Sequence, residues 1–156
     1  MRAALAAAGF VVLTACGGGG GGTAASHTPS PLGTYEPSPL AKPTGQLDAQ
    51  VAMPDGFPGD VPVYAKARLT AAAKFNSDGQ VSWGMEWQTL DSVAKVQAFY
   101  ADKMSQGDWT ITFTNKVTNN FSATFARKSN SNVQGTLGAG VGGGVTRISM
   151  SLVAPN

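Results

Sequence analysis

A chain of 156 residues with 11 basic and 9 acidic side chains carries a formal charge of only +2. That balance excludes the clustered Lys and Arg footprint of a nucleic-acid binder, and the length leaves room for one domain of roughly 100 to 150 residues plus a tail. Cys16 is the single cysteine, so a domain built from this chain has no internal disulfide and holds together by burial and hydrogen bonding.

The apolar run from Ala3 to Ala15 is shorter than the roughly 20 residues that a bilayer-spanning helix needs, and Gly17 to Gly22 follow at once. It ends in Leu13-Thr14-Ala15-Cys16. This tetrapeptide resembles a bacterial lipobox: an aliphatic residue, two small residues and a cysteine. The resemblance implies that residues 1–15 are a signal peptide cut between Ala15 and Cys16, and that the Cys16 thiol receives a diacylglyceryl group. Two acyl chains make a stable anchor where one is marginal, at about 0.8 kcal/mol per buried methylene. The chain beyond Cys16 is then exported and held by lipid at the outer face of the plasma membrane, or at an outer membrane where the host has one. Only Arg2 and the terminal amine precede the run, a thin basic end for such a signal. The bland alternatives are an incidental thiol after an ordinary signal peptide, or part of a transmembrane helix.

Residues 16–50 read as the lipidated cysteine and a disordered tether. Tyr35 is their only aromatic residue, and Pro29, Pro31, Pro37, Pro39 and Pro43 recur among Gly, Ser, Thr and Ala, a composition that cannot offset ordering entropy by burial. The proline-rich part reads as a spacer rather than a docking peptide, since no Pro-x-x-Pro pair is flanked by basic residues. The only histidine, His27, falls here as well.

The folded domain is expected over 51–156. Pro54-Asp55-Gly56-Phe57-Pro58-Gly59-Asp60-Val61-Pro62-Val63-Tyr64 mixes turn residues with apolar ones, which predicts an extended strap pinned by Phe57, Val61, Val63 and Tyr64. Two strands follow, over 65–75 and 80–89, around the hairpin signal Asp78-Gly79. In the second, Val81, Trp83, Met85 and Trp87 alternate with Ser82, Gly84, Glu86 and Gln88, so one face is core and the other wet. In the first, the alanines, Leu69 and Phe75 alternate with Lys66, Arg68, Thr70 and Lys74, which predicts a basic stripe on one face. Asp91 or Ser92 caps a helix whose Val93, Val96, Phe99, Tyr100 and Met104 recur at helical spacing, and Gly107 ends it. The strap and the passage Phe99-Tyr100 to Gly107-Asp108-Trp109 resemble the Phe-Pro-x-Asp-Val-Pro-x-Tyr and Phe-Tyr, Gly-x-Trp segments of uncharacterised bacterial exported proteins. Three more strands are expected around 109–114, 121–126 and 147–152. The predicted fold is α+β, one antiparallel sheet of about five strands in the order β-β-α-β-β-β, packed on one face by a single helix.

No residue set points to catalysis. Gly138, Gly140 and Gly143 match Gly-x-Gly-x-x-Gly, but dinucleotide binding needs a strand before and a helix after, so 135–144 reads as a flexible hairpin loop with binding as the sharper alternative. Glu86 with Asp55 or Asp60 could do acid–base work; the plainer reading makes the aspartates turn-formers and pairs Glu86 with a basic residue of the first strand. Metal chemistry lacks His and Cys in the domain. Lys66, Arg68 and Lys74, with Arg147, form a possible surface for anionic lipid or an acidic partner. The expectation is a non-enzymatic binding or accessory domain without a cofactor, engaging an envelope protein or small ligand; a hydrolase or a structural subunit of a membrane complex are the competing classes.

Overall fold

The computed structural model describes residues 45–156. The expected signal peptide, the Ala15–Cys16 cleavage point and the tether up to residue 44 lie outside the described residues. The elements are β1 (Arg68–Ser77), β2 (Gln80–Thr89), α1 (Val93–Lys103), β3 (Trp109–Val117), β4 (Asn120–Arg127), β5 (Gln134–Gly142) and β6 (Val145–Pro155). All strand pairs are antiparallel, and the sheet order is β1-β2-β6-β5-β4-β3.

The α+β class, the single antiparallel sheet and the single helix agree with expectation; the strand count does not. Residues 134–142, expected as part of a flexible loop, form β5 between β4 and β6. Glycines at 135, 138, 140 and 142 leave no side-chain alternation to read, which hid the strand. The loop shrinks to Gly143 and Gly144, with φ of 62° and 75°. Two consecutive left-handed residues match the twist of an antiparallel hairpin, and glycine adopts them without a steric cost.

Register explains the core. Val81, Trp83, Met85 and Trp87 face the same way as Ile148, Met150, Leu152, Leu137, Ala139, Phe121 and Phe125, and all are buried. Helix α1 lays Val93, Val96, Tyr100 and Met104 on this layer, against β4 and β5. It connects β2 to β3, at the far edge of the sheet, and so must cross the apolar face. Ser92 stands at the helix N-cap in extended geometry without a side-chain capping bond. The adjacent Asp91 instead accepts hydrogen bonds from Tyr64 Oη at 2.9 Å and Lys95 Nζ at 3.0 Å.

The strap packs on the same apolar face. Phe57 meets Trp83 edge-on with ring centroids 6.1 Å apart, and Tyr64 meets Phe99 at 5.1 Å; each such pair contributes about 0.5–1.5 kcal/mol beyond its burial. Asp60 accepts the Trp109 indole N–H on its carbonyl at 3.2 Å and pairs its carboxylate with Arg127 at 2.9 Å. The chain is engaged before the strap begins. In the 45–50 segment, assigned to the tether from sequence, Gly45 N donates to Gly144 O at 2.8 Å and Asp48 N to Gln88 Oε1 at 3.0 Å.

Each edge strand carries a bulge. The register of β1 on β2 shifts between Leu69 and Ala71, and that of β3 on β4 between Phe113 and Asn115. A bulge adds one residue to one strand and thereby exchanges the faces beyond it. Lys74 therefore lies opposite Trp83 on the apolar side, where its Nζ reaches the Asp55 carbonyl at 3.0 Å, and Phe75 lies opposite Ser82 on the polar side. The predicted stripe of Lys66, Arg68 and Lys74 on one face is thus overturned.

Two tests follow from this packing. A Cβ at Gly135 would come within 2.7 Å of the Phe125 ring and strike the Ser151 carbonyl, whereas one at Gly138 meets nothing closer than 3.4 Å. Gly135→Ala is expected to lower stability in urea unfolding by about 1–3 kcal/mol, and Gly138→Ala to change it little. The second concerns pH. The Lys95 ammonium, with the Tyr64 hydroxyl, holds the Asp91 carboxyl below the usual carboxylate range, and burial with the Asp91 charge pushes Tyr64 up to about 12. A depressed folded value means that the unfolded chain binds the proton first, so this stabilisation is present above the ordinary carboxylate value near pH 4 and is lost as pH falls through the lower folded one. Asp91→Asn should therefore be less stable than the parent at pH 7 and converge on it at acid pH, as read by thermal melts across that range.

Candidate functional site

The polar face is ordered by the same register. Thr112, Thr124, Thr136 and Ser151 are successive cross-strand partners on β3, β4, β5 and β6. Strands lie about 4.8 Å apart, so these four hydroxyls form a row roughly 14 Å long. Gly84 of β2 continues the row next to Ser151. A depression of about 370 Å³ opens here, lined chiefly by Thr110, Thr112, Thr124, Gln134, Thr136 and Ser151, with Val153 at its side. None of its lining residues is charged. The hydroxyl and amide groups among them both donate and accept hydrogen bonds without imposing a charge preference.

A second cluster occupies the other end of this face. Glu86 Oε1 takes Arg147 Nη1 at 2.8 Å, and Gln88 Nε2 donates to Asp48 Oδ2 at 2.6 Å. Arg68 Nη1 donates to the Asp48 carbonyl at 3.0 Å. These groups satisfy one another and clamp residues 47 and 48 on the sheet. Gln88 is buried beneath them, so its two bonds to Asp48 are shielded from water.

Of the residues singled out from sequence, Arg68, Glu86, Arg147, Gly138 and Gly140 do share the polar face. Glu86 pairs with Arg147 of β6, not with a basic residue of the first strand. Lys74 is on the opposite face, Lys66 precedes β1 near the Asp91 carboxylate, and Gly143 sits in the β5–β6 turn. Asp55 and Asp60 belong to the strap on the apolar side, and Asp60 is engaged by Arg127. No group of three or more His, Cys, Asp or Glu that could hold a metal ion occurs among the described residues. The threonine row was not singled out as a site. Its members are visible as alternating polar positions, but only the pairing of β3, β4, β5 and β6 brings them together.

The apolar side offers a contrast. Tyr100, Met104, Ile148 and Leu152 are fully buried between helix and sheet, and Trp83 Nε1 lies there without a hydrogen-bond partner, an arrangement that costs about 1–3 kcal/mol.

A family model described as START domain-like matches residues 69–139, from β1 through most of β5. The match covers less than half of the chain and marks a similarity. No curated protein and no solved structure matches the chain.

The clamp on Asp48 is directly testable. Gln88→Ala removes both of its bonds to Asp48, and loss of about 1.4 kcal/mol there speeds local opening roughly tenfold. Hydrogen exchange at residues 46–51 is expected to accelerate by that order while the β5 and β6 amides keep their protection.

Proposed function

We propose that this chain is a lipid-anchored envelope protein whose domain is a non-enzymatic binding module for a neutral, hydroxyl-rich ligand, of the chemical class of a glycan. The uncharged, hydroxyl-lined depression across β3 to β6 carries the reading. Phe75 supports it. This ring is 64% exposed on the polar face, opposite Ser82, whose other neighbour is Val153 at the side of the depression. An exposed flat ring about two strand spacings from a row of hydroxyls suits a sugar, which has an apolar face as well as polar edges. The START domain-like similarity favours ligand binding in general terms.

The competing classes draw less support. Acid–base work by Glu86 with a strap aspartate requires carboxylates on one face, and Asp55 and Asp60 are on the other. A basic stripe for an acidic partner is split by the β1 bulge. The anchor reading rests on Leu13-Thr14-Ala15-Cys16 and places the module at a membrane facing the cell envelope.

Titration of the full chain with neutral cell-wall oligosaccharides, followed by amide chemical shifts, should move β3 to β6 resonances. Phe75→Ala and Thr124→Val should each weaken binding by roughly tenfold, the loss of about 1–1.5 kcal/mol. Affinity should be insensitive to salt, because no ion pair forms. Turnover of such an oligosaccharide that disappears in Glu86→Gln would overturn the reading in favour of a hydrolase.

A further inference from the structure

One end of the sheet has properties that neither the core nor the hydroxyl depression uses. Leu90, Val117 and Val141 are large apolar side chains that are 40%, 58% and 52% exposed. Leu90 follows the last residue of β2, Val117 closes β3, and Val141 is the penultimate residue of β5. Register places all three at one end. Val117 pairs with Asn120, which shares a cross-strand line with Gly140, Arg147, Gln88 and Arg68, and Val141 shares the next line with Thr146 and Thr89. Isolated exposed apolar residues are ordinary; here Leu90 just past β2, Val117 on the polar side of β3 and Val141 on the Leu137 and Ala139 side of β5 gather at one end, beside the chain's entry point.

The entry point narrows the choice of partner. Gly45, where the described chain begins, is hydrogen-bonded to Gly144 in the turn that follows Val141 by two residues. Residues 1–44, with Cys16 among them, therefore join the domain at this same end. Charge points the same way. Arg147 pairs with Glu86 at 2.8 Å and reaches Asp48 at 4.0 Å, Arg68 is bonded to the Asp48 carbonyl, and Lys95 pairs with Asp91. Lys66, beside β1 in the wider field of Asp91, and Lys116, whose ammonium lies 4.5 Å from the Phe113 ring centroid, leave this end with more basic than acidic side chains among the described residues. Asp78 occupies the β1–β2 turn at the opposite end.

We infer that the end bearing Leu90, Val117 and Val141 is a docking surface for an anionic lipid bilayer, so that the tethered domain rests on the membrane with its hydroxyl depression turned away. Apolar side chains at the tip enter the interfacial layer while Lys66 and Lys116 meet the headgroups, each basic residue near such a surface contributing about 1 kcal/mol. This rests on the anchor part of the proposed function and is independent of the ligand.

The chain's own composition supplies the test. Cys16 is the sole cysteine, so in the lipidated protein one introduced cysteine is the only free thiol. Full-length Val141→Cys and Asp78→Cys proteins, labelled with an environment-sensitive NBD fluorophore, are reconstituted in phosphatidylglycerol–phosphatidylcholine vesicles. Position 141 should show a blue-shifted, brighter emission quenched by doxyl-labelled lipids, and position 78 should not. Leu90→Asp in the Val141→Cys background should weaken the quenching roughly tenfold, with unchanged near-ultraviolet circular dichroism as the folding control. Equal quenching at both positions, or stronger quenching at 78, would overturn the proposal. Two labels per chain would show instead that Cys16 carries no lipid and would remove the anchor reading. The unlipidated chain labelled at position 141 then decides the surface on its own: a salt-sensitive blue shift on adding the anionic vesicles supports it, and no shift overturns it.

Discussion

The ladder between β2 and β6 holds the molecule together. It pairs Gln80 with Pro155 and Thr89 with Thr146, joining residues from the first and last parts of the described chain. The β1–β2 hairpin and the β3–β6 meander are local structures, each with an open edge without this ladder; closing it turns two small sheets into one six-stranded layer. Only then does an apolar surface exist that is wide enough for α1 and the strap to cover. Burial of Trp83 and Trp87 on one side of the ladder and of Ile148, Met150 and Leu152 on the other makes the pairing and the core mutually dependent. Such distant partners carry a loop-closure cost before they gain anything, which burial of this central layer offsets.

The two bulges decide how the faces are used. In β1 and in β3 the extra residue comes partway along an outer strand, and beyond it a lysine lies on the apolar side and an apolar residue on the polar side. Lys74 reaches the strap, and the Lys116 ammonium sits 4.5 Å from the Phe113 ring centroid. Charged residues turned inward at the rim protect outer strands from pairing with another chain. The exchanged apolar residues, Phe75 and Val117, become the exposed groups on which the ligand and membrane readings draw. Edge protection and the exposed groups behind the two proposals thus come from the same irregularity.

The polar face is divided along its length. At the end where the described chain begins, Asp48, Gln88, Glu86, Arg147 and Arg68 form a self-satisfied cluster that fixes residues 47 and 48. At the other end lie the uncharged hydroxyls of β3 to β6. The charged cluster and the hydroxyl row thus lie toward opposite ends of one face, a separation set by strand direction and register.

The strongest local signals in the sequence carried through to the structure: alternation in β2, β4 and β6, the Asp78-Gly79 hairpin, the helical stripe from Val93 to Met104, and the strap's apolar contacts. Each was signalled by residues within a few positions of one another, although the strap's apolar residues find their partners, Trp83 and Phe99, far along the chain. Tertiary structure decided the rest. β5 was illegible because glycine has no side chain to alternate, and its place in the sheet comes from neighbours on both sides. The bulges at Thr70 and Thr114 leave no mark in composition, yet the first moves Lys74 and Phe75, and the second Lys116 and Val117, to the faces opposite those that strict alternation assigns. The row from Thr112 to Ser151 gathers residues up to 39 positions apart, and nothing local says that those strands are neighbours. Periodicity is a property of one segment, and so the sequence could show which residues face water; register is a property of pairs, and only the closed sheet could show which of them meet.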